Sequence, residues 1–317
     1  MKLIFLIVRF SIILSFVTQI NGQDRIITTG VPFLLITPDA RAAGMGELGV
    51  ATSPDAFAQQ WNPAKYAFSE SRSGLGLSYT PYLRQLVDDI FLGNLTYFSK
   101  INERSAWATS LKYFSYGNVQ FNDIMAGTII DQGSKRPNEI TIDLSYSLKL
   151  SESFAMSVVG RFLRSDLKIH TDMDATSANS LGVDLAGFFQ SSALEMGSFD
   201  GLIRAGFNIS NIGPRLKYDE GGQMDFIPTN LRLGTGFDLI FDVSNVLGIY
   251  LEFSKLLVPT PVAFYDGGNQ IMGYRQPDVN FFNGIFKSFS DAPGGIKEEL
   301  KEITCAIGLE YLFSETL

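Results

Sequence analysis

One cysteine, Cys305, and one histidine, His170, stand in 317 residues. A single thiol forms no internal disulfide and no thiolate metal cluster, and it lies far from the amino terminus, where a lipid-bearing cysteine would be needed. Charge is also scarce: 18% of residues are charged, 33 acidic against 25 basic, for a formal net charge of −8. An acidic chain excludes nucleic acid as the expected partner, because nucleic acid selects basic surfaces. Neither G-x-S-x-G nor H-E-x-x-H occurs, so the two commonest hydrolase signatures are absent. His170 sits beside Asp172 and Asp174. A triad would need a nucleophile and an orienting acid around it, and two carboxylates fall short of the six to eight oxygens that calcium takes. The expectation is a solvated loop histidine, with no enzyme activity, no cofactor and no metal.

Long apolar runs are missing too, apart from the first residues, which excludes a bundle of membrane helices. Disorder is excluded by the opposite fact, since 45% of residues are hydrophobic, with 26 Phe and 12 Tyr. The length allows two soluble domains or one large barrel. Met1 to Gly22 reads as a secretory leader, with Lys2 and Arg9 flanking the apolar stretch Leu3–Phe16 before a polar Thr18–Gly22. The run is short and broken by Arg9 and Ser11, which argues against a membrane anchor. Its removal leaves a mature charge of about −10. The expected organisation is a leader at 1–22, a lead and compact coil at 23–72, and a β-domain over 73–317.

What fills the β-domain is alternation. Ile140, Ile142, Leu144, Tyr146, Leu148 and Leu150 alternate with Glu139, Thr141, Asp143, Ser145, Ser147 and Lys149. Leu231, Leu233, Thr235, Phe237, Leu239 and Phe241 alternate with polar or small residues in the same way. Successive strand side chains point to opposite faces, so each such segment has an apolar face and a polar one. The pattern predicts about ten strands, the others at Leu75–Tyr79, Phe91–Tyr97, Trp107–Tyr113, Phe154–Phe162, Leu181–Phe189, Ile203–Ile209, Leu247–Phe253 and Ile303–Phe313. A soluble sandwich alternates as well, but these strands are long for a sandwich. Tyr and Phe gather at strand ends, and short connections alternate with long ones, as in a transmembrane barrel. The expectation is an all-β, antiparallel transmembrane barrel. Lys112, Asp143, Arg161, Asp184, Arg204, Arg232, Asp238, Glu252 and Glu310 fall on the polar face, which must then line the lumen.

Between leader and barrel lies Pro38–Phe68, PDARAAGMGELGVATSPDAFAQQWNPAKYAF. Small residues and turn formers dominate it, so it reads as a compact coil with short helical turns. Gly44, Gly46 and Gly49 match G-x-G-x-x-G, but no strand precedes them and Ser53-Pro54 follows too soon for a dinucleotide site; tight packing is the better reading. The expected role is a plug in the lumen, with Asp39, Arg41, Glu47 and Asp55 meeting charges of the wall. Further on, Phe281, Phe282, Ile285, Phe286 and Phe289 fall at helical spacing before the break at Asp291-Ala-Pro293-Gly294-Gly295. Two readings of this segment stay open: it packs on the barrel mouth, or it offers an apolar surface to a partner.

Trp61-Asn62-Pro63-Ala64 resembles the Asn-Pro-Ala hatch motif of FadL-like outer-membrane proteins. The fuller Pro38–Phe68 stretch, together with Gly284–Thr304, is similar to the PorV family of the type IX secretion system of Bacteroidota. The two stretches cover about a sixth of the chain. This resemblance implies a FadL-like barrel of fourteen strands with an N-terminal plug, in the outer membrane of a Gram-negative bacterium and in contact with its lipid. About ten strands are read here, and the sequence stops at Ser314-Glu-Thr-Leu317, so a C-terminally truncated barrel with two unpaired edges is expected; a closed ten-stranded barrel is the alternative. The resemblance further implies a non-enzymatic adaptor. Such proteins take cargo by its C-terminal signal domain at a SprA/Sov-type translocon and bring it to a PorU-type sortase for surface attachment. The alternative function is a FadL-like transporter of hydrophobic small molecules.

Overall fold

The computed structural model describes residues 25–125, 128–167, 177–218, 224–265 and 271–313. The leader, His170, Asp172, Asp174 and the last four residues lie outside the described residues. Fifteen strands follow in chain order: β1 (Ser73–Pro81), β2 (Ile90–Asn102), β3 (Ser105–Tyr116), β4 (Val119–Met125), β5 (Thr128–Lys135), β6 (Asn138–Lys149), β7 (Phe154–Asp166), β8 (Ala178–Gln190), β9 (Leu194–Glu195), β10 (Asp200–Ile212), β11 (Asn230–Asp242), β12 (Asn245–Leu256), β13 (Val262–Tyr265), β14 (Ile271–Arg275) and β15 (Thr304–Phe313). Ten of them make one antiparallel sheet in the order β1-β2-β3-β6-β7-β8-β10-β11-β12-β15, with the short β9 added beside β10. These are the ten segments that alternation marks in the sequence. β4–β5 and β13–β14 are separate hairpins, each inside a long connection.

Short turns close one end of the sheet because their side chains satisfy their own backbone. Asn102 Oδ1 accepts from the N–H of Arg104 and Ser105 between β2 and β3. Asp242 Oδ1 accepts from the N–H of Ser244 between β11 and β12. The opposite end carries the long connections 82–89, 117–137, 167–177, 213–229 and 257–303. By the rule that barrels keep short turns on the periplasmic side, the long-connection end faces outward from the cell. Among the described residues the sheet is open: β1 and β15 end the strand order, and neither outer edge is paired.

Burial is inverted relative to a water-soluble protein. On β6, Ile142 is 50% and Leu144 60% exposed, whereas Asp143 between them is 1% exposed. Leu181 on β8 and Ile307 on β15 are exposed in the same way, and Arg161, Asp184, Arg204 and Glu252 are buried. Apolar side chains turned outward and charges turned inward have one stable setting, a hydrocarbon surround and a filled interior. The chain is therefore a transmembrane antiparallel sheet of outer-membrane barrel type, with residues 25–72 as its plug.

Candidate functional site: the plugged lumen and the outer-mouth loop

The plug threads the lumen from the outer end to the inner one. At the outer end Arg25 Nε lies 3.8 Å from Glu298 and Gly30 N–H donates to Phe226 O at 2.9 Å. A 3₁₀ turn, Pro32–Leu35, follows. Its Phe33 and Leu34 pack with Val31 against the inward-facing Leu92, Phe114 and Leu163. Helix α1 (Ala40–Gly44) begins at Asp39, whose carboxylate accepts from Ala42 N–H as its N-cap. Helix α2 (Ala58–Trp61) and a second 3₁₀ turn, Pro63–Phe68, complete the descent. At the inner end Lys100 Nζ donates to Ser69 O and Lys149 lies over the Phe68 ring.

The Trp61–Ala64 motif is the fastening between plug and wall. Asn62 Nδ2 donates to Val50 O within the plug and to Gly187 O on β8, both at 2.9 Å, while its Oδ1 accepts from Ala64 N–H. Pro63 fits the first position of the 3₁₀ turn, where no N–H is required, and its carbonyl accepts from Ser147 Oγ at 2.6 Å. Trp61 Nε1 donates to Asp39 Oδ2, and Trp61 O accepts from Asn208 Nδ2. The Arg232 guanidinium lies 4.5 Å over the Trp61 ring.

Close approach needs glycine on both partners. A Cβ on Gly49 would lie 2.4 Å from Trp61 Cγ; one on Gly206 would lie 2.4 Å from Val50 O; one on Gly234 would lie 2.5 Å from Val50 Cγ1. Gly46 adopts φ +80°, the left-handed region that lets the chain leave α1. Gly44 has open space around it. The glycine run is thus a packing device, and Gly49 is its critical member.

The charges of the plug are arranged differently from the sequence expectation. Arg41 does cross to the wall, donating to Glu310 at 2.6 Å through both Nε and Nη2. Asp55 bonds Arg41 at 2.5 Å and Phe57 N–H, so it stays within the plug. Asp39 likewise bonds only Ala42 N–H and Trp61 Nε1 among the contacts described. Glu47 meets Arg232 through its backbone carbonyl, not its carboxylate. The reason is reach: Asp39 and Asp55 hold helix starts and turns of their own segment, which short carboxylates do best. The wall supplies the acid instead. Glu252 Oε2 accepts from the N–H of Gly49 and Val50 at 2.8 and 2.9 Å, and its other oxygen faces Arg232 at 3.3 Å. Elsewhere the wall charges neutralise one another: Arg161 sits between Asp143, 2.7 Å, and Asp184, 3.1 Å, and Arg204 pairs with Asp238.

Two further plug–wall contacts have no counterpart in the expected list: Gln59 accepts from Ser145 Oγ and Gln60 accepts from Lys112 Nζ. Within the plug, Lys65 is wholly buried with its ammonium on Gly49 O and Thr52 Oγ1. Burial lowers the Lys65 ammonium to about 8. A signal for the plug's footprint was nonetheless present: Gly206, Gly234 and Gly236 occupy luminal positions of neighbouring strands, where a wall without a close partner has no need of glycine.

The outer-mouth loop, residues 257–303, holds helix α3 (Phe281–Lys287) and helix α4 (Ile296–Lys301). The helical spacing of the aromatics is real, but α3 stops at Lys287, so Phe289 lies beyond it. Asn280 caps α3 by accepting from Asn283 N–H. Phe281 packs inward beside Ile27, Phe226 and Val258. Gly284 approaches Phe226, where a Cβ would lie 2.8 Å from its ring. Ile285 is half-buried, and Phe282, Phe286 and Phe289 face outward at 58%, 74% and 50% exposure. Pro293, Gly294 and Gly295 form the exposed turn into α4, where Gly295 takes φ +66° and Gly294 N–H donates to Glu298. Phe281 and Gly284 therefore pack on the mouth, while Phe282, Phe286 and Phe289 are exposed.

Residues 19–263 match the family model for the type IX secretion system protein PorV. Among solved structures the chain is similar to OmpT, an outer membrane protein of Vibrio cholerae in trimer form. The identity is 6%, covering 83% of this chain and 72% of that one, with a TM-score of 0.33, too distant to bear on the fold. No curated protein matches the chain. The family match spans most of the sequence, and the chain belongs to the PorV family, as an outer-membrane component of the type IX secretion system.

Proposed function

We propose that this chain is a non-enzymatic adaptor of the outer membrane of a Gram-negative bacterium. It binds cargo C-terminal signal domains at a SprA/Sov-type translocon and delivers them to a PorU-type sortase and the surface-attachment machinery. The observation that carries the reading is the outer-mouth loop. Three phenylalanines, Phe282, Phe286 and Phe289, are held outward on a segment whose other face is anchored by Phe281 and Gly284. Aromatics fixed on a rigid scaffold suit protein recognition, because little side-chain freedom is lost on binding. Replacing Phe282, Phe286 and Phe289 together by Ser is expected to leave the barrel in the membrane and to lower cargo capture at least about tenfold in a pull-down, roughly 1.4 kcal/mol. Deleting Phe281–Phe289 is expected to do the same, and capture at the wild-type level in both variants would sink the assignment.

Transport of hydrophobic small molecules is the competing reading, and the lumen argues against it. A cavity between plug and wall, about 220 Å³, is bordered by Leu35, Leu256 and Ala306 but also by the charged Glu47, Arg232 and Glu252. Apolar ligands favour pockets with few polar groups. Lipid held in the lumen, together with uptake that fails when the Asn62 fastening is broken, would reverse this preference.

A further inference from the structure

A markedly apolar cavity lies outside the lumen. It is a groove of about 350 Å³ on the outer wall, where the outward-facing Leu231, Leu233 and Phe253 of β11 and β12 meet Phe289, Ile296 and Leu300 of the loop. Register places Leu233 opposite Phe253 and Leu231 opposite Lys255. Below these, the same face continues through Phe237, Leu239 and Phe241 on β11 and through Ile249 and Leu247 on β12. At about 3.3 Å per residue and a tilt near 45°, residues 231 to 241 span roughly the 25 Å height of a barrel's apolar band. Leu231 and Lys255 therefore mark the upper edge of that band, at the level of the outer leaflet's acyl chains just beneath the headgroups.

Buried beneath the loop, Lys255 would be costly if it stood alone. Helix α4 leans outward across the wall and removes the problem: Glu299 and Glu302 meet Lys255 Nζ at 3.1 and 2.5 Å. The same acids tie the loop together, since Glu299 accepts from Ala292 N–H and Glu302 from Thr260 Oγ1. All three charges are thus partnered and buried, and the groove above Leu233, bordered at one side by Ser254, Lys255 and Glu299, is otherwise lined by hydrocarbon. Ile296 is 78% and Leu300 61% exposed; they overhang the groove without filling it.

We infer that this groove holds one acyl chain of an outer-leaflet lipid as a structural ligand of the loop. Continuity with the lipid-facing wall selects that occupant. The groove's floor is the upper end of the face already turned to hydrocarbon, so the surrounding phase that fills it is acyl chain, and the satisfied ions offer no anchor to a charged ligand. The chain completes the packing that α4 leaves open, wedging the loop against the wall and fixing the direction in which Phe282 and Phe286 point.

The test is lipid retention by the full-length protein, purified in mild detergent, delipidated, and incubated with dipalmitoyl phosphatidylethanolamine before native mass spectrometry. One tightly held lipid is expected for the wild type. Leu300→Trp, which fills the groove, is expected to lower the bound fraction at least tenfold. Leu144→Trp, on the exposed face of β6 away from the groove, is expected to leave it unchanged. Ile296→Ser provides a second variant that opens the groove without bulk, and Asn62→Ala tests the lumen as the source of the lipid. Retention lost equally in the Leu300 and Leu144 variants, retention lost only with Asn62→Ala, no retained lipid in the wild type, or a protein segment found in the groove instead would each overturn the inference.

Discussion

Asn62 makes three hydrogen bonds with one amide, and two of its partners are buried carbonyls in different parts of the molecule. Asn62→Ala removes the donor from both and is expected to cost about 1–3 kcal/mol, read as a lower unfolding midpoint in detergent. Glycine gives a sharper contrast. Gly49→Ala places a methyl into the Trp61 ring, for a cost of about 1–3 kcal/mol, whereas Gly44→Ala meets nothing and is expected to fall within about 1 kcal/mol of wild type. Lys65 makes the plug sensitive to pH. Its folded value, about 8, lies below the ordinary 10.5, so the unfolded chain binds the proton more tightly. The lysine's contribution to stability is therefore fullest above 10.5 and falls as pH drops from there to about 8, by an amount on the order of a few kcal/mol. Lys65→Met is expected to flatten that part of the pH dependence of unfolding. An unchanged slope would show that the ammonium is solvated in solution.

At the scale of elements, two segments fit together because of what each omits. β10 and β11 place Gly206, Gly234 and Gly236 on the luminal face, and the turn at Val50–Ala51 occupies the space their side chains would take. The plug supplies backbone N–H groups there, and Glu252 receives them. The loop carrying α3 and α4 depends on a different contact, the cluster of Lys255 with Glu299 and Glu302. Lys255→Met leaves two carboxylates facing each other without their cation. The expected outcome is a barrel that still resists heat in detergent while the loop around Pro293–Gly295 is cut faster by protease. Equal cutting rates in wild type and variant would mean that Phe281 and Gly284 hold the loop unaided.

For the molecule as a whole, the path of the plug places its first residues at the end that the long connections assign to the cell exterior. Arg25 lies with Glu298 and Tyr274 at the long-connection end, and Ser69 lies with Lys100 at the other. An epitope placed directly before Arg25 in the mature protein is therefore expected to bind antibody on intact cells, while an epitope in the short 150–153 turn stays hidden until the outer membrane is permeabilised. The opposite pattern would invert the orientation on which the cargo-binding reading depends.

The sequence alone determined the ten crossing strands and the side each residue faces, because a period of two is a local property and every strand repeats it. It also marked Pro38–Phe68 as a compact coil in need of a container and Phe281–Phe289 as a helical segment, again from local spacing and turn chemistry, although the helix ends at Lys287. Tertiary structure alone decided which charges meet. Asp39 and Asp55 turned back into their own segment, and Glu252, some two hundred positions away, took the role the plug's own acids were expected to share. It also decided that the lipid-side groove exists at all, since that groove is made by a helix and two strands joined only through a long connection. Pairings of this kind depend on reach and on which neighbour is nearer in space, and neither quantity is written in the order of residues along a chain.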